Sequence, residues 1–438
     1  MRIPWARSAR RLGCAVVTGL ALAATVPGTA AAAPAGRLPE SYVSMSGHDA
    51  PGPATHDRIH VLKVGSARAR QVLVLLPGQF GAAGSFGPLA RELAARLPGT
   101  QVWAVDRREQ NLSDLRGFRR SPDRAADHYL GGHYRAQTPR TVPYVGDWGL
   151  GVQLADLRRV VLAARDGGRR QVVLGGHSWG ATTALAYAGW DFAGQPGYRD
   201  LSGLVLIDGG VHDAFAGEGY VYRLTTDQAD DRLGKIAAGE IFDESLTMGR
   251  TETFAILQQL AGRYAQAAPD QPSTLAAHLP DRLRPPAQVT NEGLVKWLYV
   301  THPLVPDMSL NPDYTSTATF AGALSGPVPS MLEWYWPSRL SLDLEAADPF
   351  DDTPVARRLG LRLWHTRGMD VPLYSFQSGL THGTANTAAR WVAAHSRITE
   401  ATYAGNDAMT HLDPLFASPE KNTFLTTVTP FLSRLSER

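Results

Sequence analysis

The residues best suited to chemistry in this sequence surround Ser178. The serine is the centre of Gly176-His177-Ser178-Trp179-Gly180, between an apolar run at 172–174 and a helix-like run that begins at Ala181. A Gly-x-Ser-x-Gly segment between a buried strand and a helix reverses the chain within one residue and holds the serine in a strained conformation. The two glycines lack the Cβ atoms that would clash there, and the helix N-terminus favours negative charge. This context predicts a nucleophile; the alternative is an ordinary glycine-rich turn.

Short apolar runs alternate with helical patterns on both sides of this turn. The runs at 72–76, 102–105, 172–174 and 204–207 predict buried strands, and alternation at 59–63 predicts another. Leucine spacing predicts helices near 89–97 and 150–161. The rhythm returns with a strand at 361–364, a helix near 388–394, a strand near 398–403 and a last helix near 422–435. The pattern predicts an α/β fold with a mostly parallel sheet and helices on both faces.

The segment from Val211 to Arg358 interrupts this rhythm. It is mostly helical in character with proline-rich joints, and a structureless loop of that length is uncommon in a compact domain. We therefore expect a largely helical lid inserted between two strands. The predicted organisation is a signal peptide at 1–32, the first part of the core at 33–210 with a loose lead-in to about residue 56, the lid at 211–358, and the second part of the core at 359–438.

The segment around Ser178 resembles the nucleophile turn of the α/β-hydrolase superfamily, and the resemblance covers roughly residues 57–210 and 359–436. Trp179 and the following Ala184-Leu185-Ala186-Tyr187-Ala188 are also similar to proline iminopeptidases. Those enzymes carry His-Gly-Gly-Pro-Gly at the first turn, where this chain has Pro77-Gly78-Gln79-Phe80-Gly81. The resemblance implies the α/β-hydrolase fold and a Ser-His-acid triad.

The resemblance also implies where the other triad members lie. The family places its histidine in the last loop before the final helix, and His411 occupies that place. The acid usually follows the strand after the lid, where Asp370 is the only carboxylate in the turn 364–372. Some members take the acid from the preceding strand end, which makes Asp208 the rival; its structural alternative is a carboxylate that caps the Gly209-Gly210 turn.

A tetrahedral intermediate needs two backbone N–H donors. We expect one from Trp179, directly after the nucleophile, and the other from Gln79 or Phe80, where Gly78 and Gly81 would let the backbone approach a substrate. Residues 106–111 follow the next strand on the same rim. They are interpreted as a salt-bridge network, with binding of a polar part of the substrate as the alternative.

The N-terminus has the three parts of a secretory signal peptide, namely early arginines, a roughly 15-residue apolar run and a small-residue tract that ends near Ala32. The run is short for a membrane span, which needs about 20 residues, so we expect secretion by the Sec or twin-arginine route without stable membrane insertion. Cys14, the only cysteine, lies within this segment. The mature chain could then form no disulfide and no cysteine-ligated zinc site.

Charge and motifs exclude several other classes. The formal net charge is +2, and removal of the four signal arginines leaves about −2, which argues against a nucleic-acid partner. No dinucleotide fingerprint or metal-ligand spacing such as His-Glu-x-x-His occurs, so no cofactor and no metal is expected.

The sequence predicts a secreted serine hydrolase that cleaves a small or lipid-like carboxylic ester through an acyl-enzyme. An aromatic cluster in the lid, at Trp297, Tyr299 and 334–336, would suit an apolar substrate group, with packing against the core as the alternative. A peptidase or amidase would need an acid for the substrate amine, for which Glu292 and Glu333 are candidates. Acyl transfer to an alcohol and a catalytically dead binding module remain open.

Overall fold

The computed structural model describes residues 38–247, 249–305, 308–326 and 328–438, so the predicted signal peptide lies outside the described residues. An eight-stranded sheet forms the centre of this part of the chain, in the order β1-β2-β4-β3-β5-β6-β7-β8. Strands β3 to β8 are parallel, and β1 and β2 add an antiparallel edge. The strands are β1 Glu40–Ser46, β2 Arg58–Val64, β3 Gln71–Leu76, β4 Thr100–Asp106, β5 Gln171–His177, β6 Gly203–Ile207, β7 Leu373–Ser378 and β8 Ala401–Asn406.

The helices that follow the strands of the sheet are α1 Gly87–Arg96, α2 Pro122–Leu130, α3 Leu150–Arg165, α4 Trp179–Gly189, α11 Thr384–Ala394, α12 Asp413–Phe416 and α13 Thr423–Ser436. Between β6 and β7 lie α5 Thr226–Ala237, α6 Thr251–Ala267, α7 Asn291–Lys296, α8 Thr317–Ser325, α9 Ser338–Ala347 and α10 Pro354–Leu359. Strands β3 to β6 are apolar on both faces and almost fully buried, as strands of a covered parallel sheet must be. The α/β-hydrolase fold class predicted from the sequence is confirmed.

Two strand predictions are wrong. The expected loose lead-in contains β1, in which Tyr42, Val43 and Met45 are half-buried against the core and the other residues are exposed. The expected strand at 361–364 is absent from the described sheet, which resumes at β7 instead. Leu361 and Leu363 are buried, but the intervening Arg362 carbonyl accepts a hydrogen bond from the Asp191 N–H (2.8 Å) in the loop after α4. Their apolar alternation therefore reflects packing beside the sheet and not pairing within it.

Among the described residues, no helix combines the length and apolar character needed to cross a membrane.

Candidate active site

Ser178 lies between β5 and α4 with φ 57° and ψ −129°. This positive φ is costly for a residue with a Cβ, and the turn is tight enough to require it. A Cβ on Gly176 would come within 2.1 Å of the Gly180 carbonyl carbon, and a Cβ on Gly180 within 2.1 Å of the Leu76 carbonyl oxygen in β3. The strained turn and the need for both glycines are thus confirmed.

His411 lies in the loop before α12 and is nearly fully buried. Its Nδ1 is 2.6 Å from Oδ2 of Asp208, which directly follows β6 and is fully buried. Burial alone would raise the pKa of Asp208, but its hydrogen bond to His411 and the charge of that ring lower it below the ordinary value. Asp208 also accepts hydrogen bonds from the Ser378 N–H (2.7 Å) and hydroxyl at the end of β7. A buried carboxylate therefore holds Nδ1 of His411.

Ser178 and His411 line one cavity of about 380 Å³. One part of its wall is apolar, with Phe80, Val305, Met308, Leu415 and Phe416. Another part is aromatic and acidic, with Trp179, Phe215, Tyr220, Tyr222, Glu218, Asp243 and Glu345; of the described lining residues none is lysine or arginine. The cavity therefore offers both apolar and acidic side chains to a molecule bound beside Ser178.

The turn after β3 touches the nucleophile. A Cβ on Gly78 would come within 2.7 Å of the Ser178 Cβ, so only glycine lets this backbone lie against the serine. Gln79, Phe80 and Trp179 all line the cavity, and Phe80 adopts a positive φ of 68°.

Comparison with known proteins supports the same fold. A sequence-family model described as alpha/beta hydrolase fold matches residues 71–196. A candidate lipase from Sulfolobus solfataricus is 19% identical, with 91% of this chain and 95% of that chain covered and a TM-score of 0.56. The chain therefore has the α/β-hydrolase fold.

Two further solved α/β structures are more distant. An epoxide hydrolase from an endophytic Streptomyces is 17% identical, covers 91% of this chain and 95% of its own, and has a TM-score of 0.42. A thermophilic esterase from Thermogutta terrifontis is 14% identical, covers 90% and 99%, and has a TM-score of 0.39. A search of curated proteins returned no match.

The prediction that Asp370 holds His411 is wrong. Asp370 precedes β7, whereas Ser178 follows the end of β5, and these strands are parallel through β6. Asp370 therefore lies at the amino ends of the parallel strands, and Ser178 lies at their carboxyl ends. The Asp370 side chain is 45% exposed and pairs with Arg199 at 3.8 Å. The alternative acid, Asp208, takes its place beside His411.

Sequence reasoning missed one group that contacts His411 and one that holds the loop around it. The His177 ring lies 4.1 Å from the His411 ring, centroid to centroid, and its Nε2 is 2.8 Å from the His411 carbonyl. Burial, and then the charge of His411, lowers the pKa of His177 to about 3, so the ring is neutral and its Nε2–H donates to the His411 carbonyl. The only signal for His177 in the sequence was its place directly before the serine of the Gly-x-Ser-x-Gly segment.

Asp413 is fully buried and accepts hydrogen bonds from the Thr410 N–H (2.7 Å) and the Thr315 hydroxyl (2.7 Å).

The rim residues form the predicted salt-bridge network. Arg108 is fully buried and binds Asp156 and Asp57, and Arg107 pairs with Glu333 from the segment between β6 and β7. The aromatic residues between β6 and β7 divide between the two interpretations, because Tyr299 lines the cavity while residues 334–336 are buried in the core. Of the described residues, neither Glu292 nor Glu333 lines the cavity.

Within the described ranges, no group of three histidine, cysteine or acidic side chains is arranged for a metal ion.

Proposed function

We propose that the chain is a secreted serine hydrolase that cleaves carboxylic esters through an acyl-enzyme, with Ser178, His411 and Asp208 as its triad. The observation that carries the proposal is that His411, which pairs with the buried Asp208, lines the same cavity as the strained Ser178. A serine hydroxyl is a weak nucleophile that needs an adjacent base, and the base needs a partner that fixes its tautomer. These three side chains supply those roles.

In the proposed reaction, Ser178 Oγ bonds to the substrate carbonyl carbon while its proton passes to His411 Nε2. The negative charge that forms on the carbonyl oxygen is stabilised by backbone N–H groups of Trp179 and of Gln79 or Phe80. Collapse of the intermediate breaks the bond to the leaving alcohol, which takes the proton from His411. Water then repeats the sequence, releases the acid and restores the serine. Asp208 stabilises the imidazolium in both halves.

An ester with an apolar group suits the cavity best. Phe80, Met308, Leu415 and Phe416 offer a wall without charge next to the nucleophile, and burial of apolar area supplies about 25 cal/mol per Å². The segment between β6 and β7 contributes part of this wall, which supports the proposal that residues 211–358 act as a lid.

A fluorophosphonate probe tests the nucleophile, and p-nitrophenyl esters of increasing chain length test the substrate. We expect labelling and ester turnover by the wild type, and neither by Ser178→Ala. Labelling that survives this substitution would move the nucleophile elsewhere, and a wild type that neither labels nor turns over esters would support a dead binding module. Product analysis with added alcohols would identify acyl transfer.

An amidase acting on substrates with a free amine is the second candidate. Glu218, Asp243 and Glu345 line the cavity. Glu345 pairs with Arg232, which is not a lining residue, and the acidic side chains favour a cationic group on the substrate. Proline amides compared with p-nitrophenyl esters decide between the two functions. Turnover of the amides alone, with loss of activity in Glu345→Gln, would replace the ester proposal.

Secretion is part of the same proposal and depends on residues 1–32. Expression of the full chain with N-terminal sequencing of the exported protein tests it. We expect a new N-terminus next to Ala31 or Ala32; retention of the intact chain in the cell would refute export.

A further inference from the structure

We propose that Arg107 is a positioning residue that orients the oxyanion turn, so that the Gln79 N–H faces the substrate, and that Glu333 holds Arg107 in place. This inference rests on the proposed function, because an oxyanion forms only if Ser178 attacks a carbonyl.

Arg107 binds the turn through three carbonyl groups. It directly follows β4, and its Nη1 donates to the Pro77 carbonyl at 2.7 Å, while its Nη2 donates to the Gly78 and Gly81 carbonyls, each at 2.9 Å. A guanidinium can do this because its five N–H groups form a rigid planar fork. One side chain therefore fixes the direction of three peptide groups in the turn 77–81.

Peptide geometry converts this contact into the orientation of a donor. In a planar trans peptide the C=O and the next N–H point in opposite directions. Since the Gly78 carbonyl points at Arg107, the Gln79 N–H points away from it. Gly78 itself lies against Ser178, where an added Cβ would be 3.2 Å from the serine Oγ. The Gln79 N–H is thus the donor of this turn that is oriented by Arg107 and adjacent to the nucleophile.

Three further backbone hydrogen bonds hold the second half of the turn. The Phe80 carbonyl accepts a hydrogen bond from the Glu333 N–H at 3.0 Å, and the Gly81 N–H donates to the Gly78 carbonyl at 3.3 Å. The Ala82 N–H donates to the Met331 carbonyl at 2.9 Å. The strip around 331–333, which lies between β6 and β7, therefore supports the turn from outside.

Glu333 completes the arrangement. Its carboxylate accepts from Arg107 Nε at 3.1 Å and forms a closer ion pair with Nη2, and the two side chains are only 2% and 11% exposed. The Trp336 ring lies 4.5 Å from the Arg107 guanidinium carbon. Arg107 is therefore held from one side by the lid segment while it holds the turn on the other. This geometry makes the oxyanion donor dependent on a residue between β6 and β7.

Arg107→Lys and Glu333→Gln test the inference, with Arg367→Lys as a control. Arg367 is 81% exposed and pairs with Asp351 on the surface. Lysine keeps the charge but is a point donor that cannot span three carbonyls. The assays are kcat and KM on a p-nitrophenyl ester, thermal unfolding, and inhibition by a trifluoromethyl ketone. Addition of Ser178 Oγ to this ketone gives a hemiketal whose oxygen carries the charge that the donors bind.

For Arg107→Lys we expect kcat to fall by about 10²-fold, the scale for one lost oxyanion donor, with KM within about threefold and the ketone inhibition constant raised in parallel. A smaller loss, about tenfold, is expected for Glu333→Gln, and none for Arg367→Lys. A purely structural role would instead lower the folded fraction without this parallel change.

The inference is overturned if Arg107→Lys keeps the wild-type kcat and ketone affinity, or if its loss of kcat matches its loss of folded protein. Should that variant not fold, Arg107→Met combined with Glu333→Met removes both charges together, which buried pairs tolerate better than loss of one partner. The double variant must then show the same kcat and inhibitor losses; wild-type values would refute the inference. Failure of the wild type to react with fluorophosphonate would instead refute the proposed function.

Discussion

Replacement of Asp208 by asparagine tests the structural assignment of the acid. The substitution keeps the shape but removes the charge that lies 2.6 Å from His411 Nδ1. A charge pair about 4 Å apart between group centres is worth about 4 kcal/mol at an effective dielectric of 20, which corresponds to about 10³-fold in rate. Asparagine can also donate to Nδ1 and so favour the wrong tautomer, which brings the expected loss in kcat to between about 10³- and 10⁴-fold.

Asp370→Asn is the matched control for this prediction, because it makes the same chemical change in the residue that the sequence favoured. Its partner Arg199 is 3.8 Å away and exposed, and such surface pairs contribute about 0–1 kcal/mol to stability. We expect kcat within about twofold of the wild type on the best p-nitrophenyl ester. The assignment is refuted if Asp370→Asn loses more activity than Asp208→Asn while both remain folded by thermal unfolding.

Two further predictions concern the elements that hold the site. Burial, and secondly the charge of His411, lowers the pKa of His177 to about 3. Between about pH 6.5 and pH 3 the unfolded chain therefore binds one proton more than the folded chain at this residue. The free energy of unfolding consequently falls by about 1.4 kcal/mol for each unit by which the pH is lowered through that window. Urea unfolding at about pH 4–6 should show a smaller loss of unfolding free energy per pH unit for His177→Asn than for the wild type. Equal slopes for the two proteins would contradict this prediction. Gly180→Ala would place a methyl 2.1 Å from the Leu76 carbonyl and should abolish activity and lower Tm. Gly234→Ala is the matched control, because Gly234 lies in α5 with open space around it, and it should raise the free energy of unfolding by about 0.5–1 kcal/mol. A Gly180→Ala variant with the activity and Tm of the wild type would refute the packing argument.

The parts of the fold that were predictable are those encoded by neighbouring residues. Apolar runs predicted β3, β4, β5 and β6 because strands covered on both faces need continuous apolar sequence. The strand β7 was missed because its apolar run is broken by the buried Ser375, while the run at 361–364 looks more strand-like but packs beside the sheet. A buried polar residue in a strand is acceptable only in a tertiary setting that the sequence does not display.

The sequence by itself determined the strand-turn-helix around Ser178, because the required φ and the missing Cβ atoms are local properties of five residues. Only the tertiary structure decided which carboxylate faces His411. Asp208 and Asp370 both lie close to strand ends in the sequence, but only the residue after a parallel strand's carboxyl end reaches the edge where Ser178 lies. The same reason applies to Arg107 and Glu333, which are 226 positions apart and meet only because the chain between them folds back onto the turn.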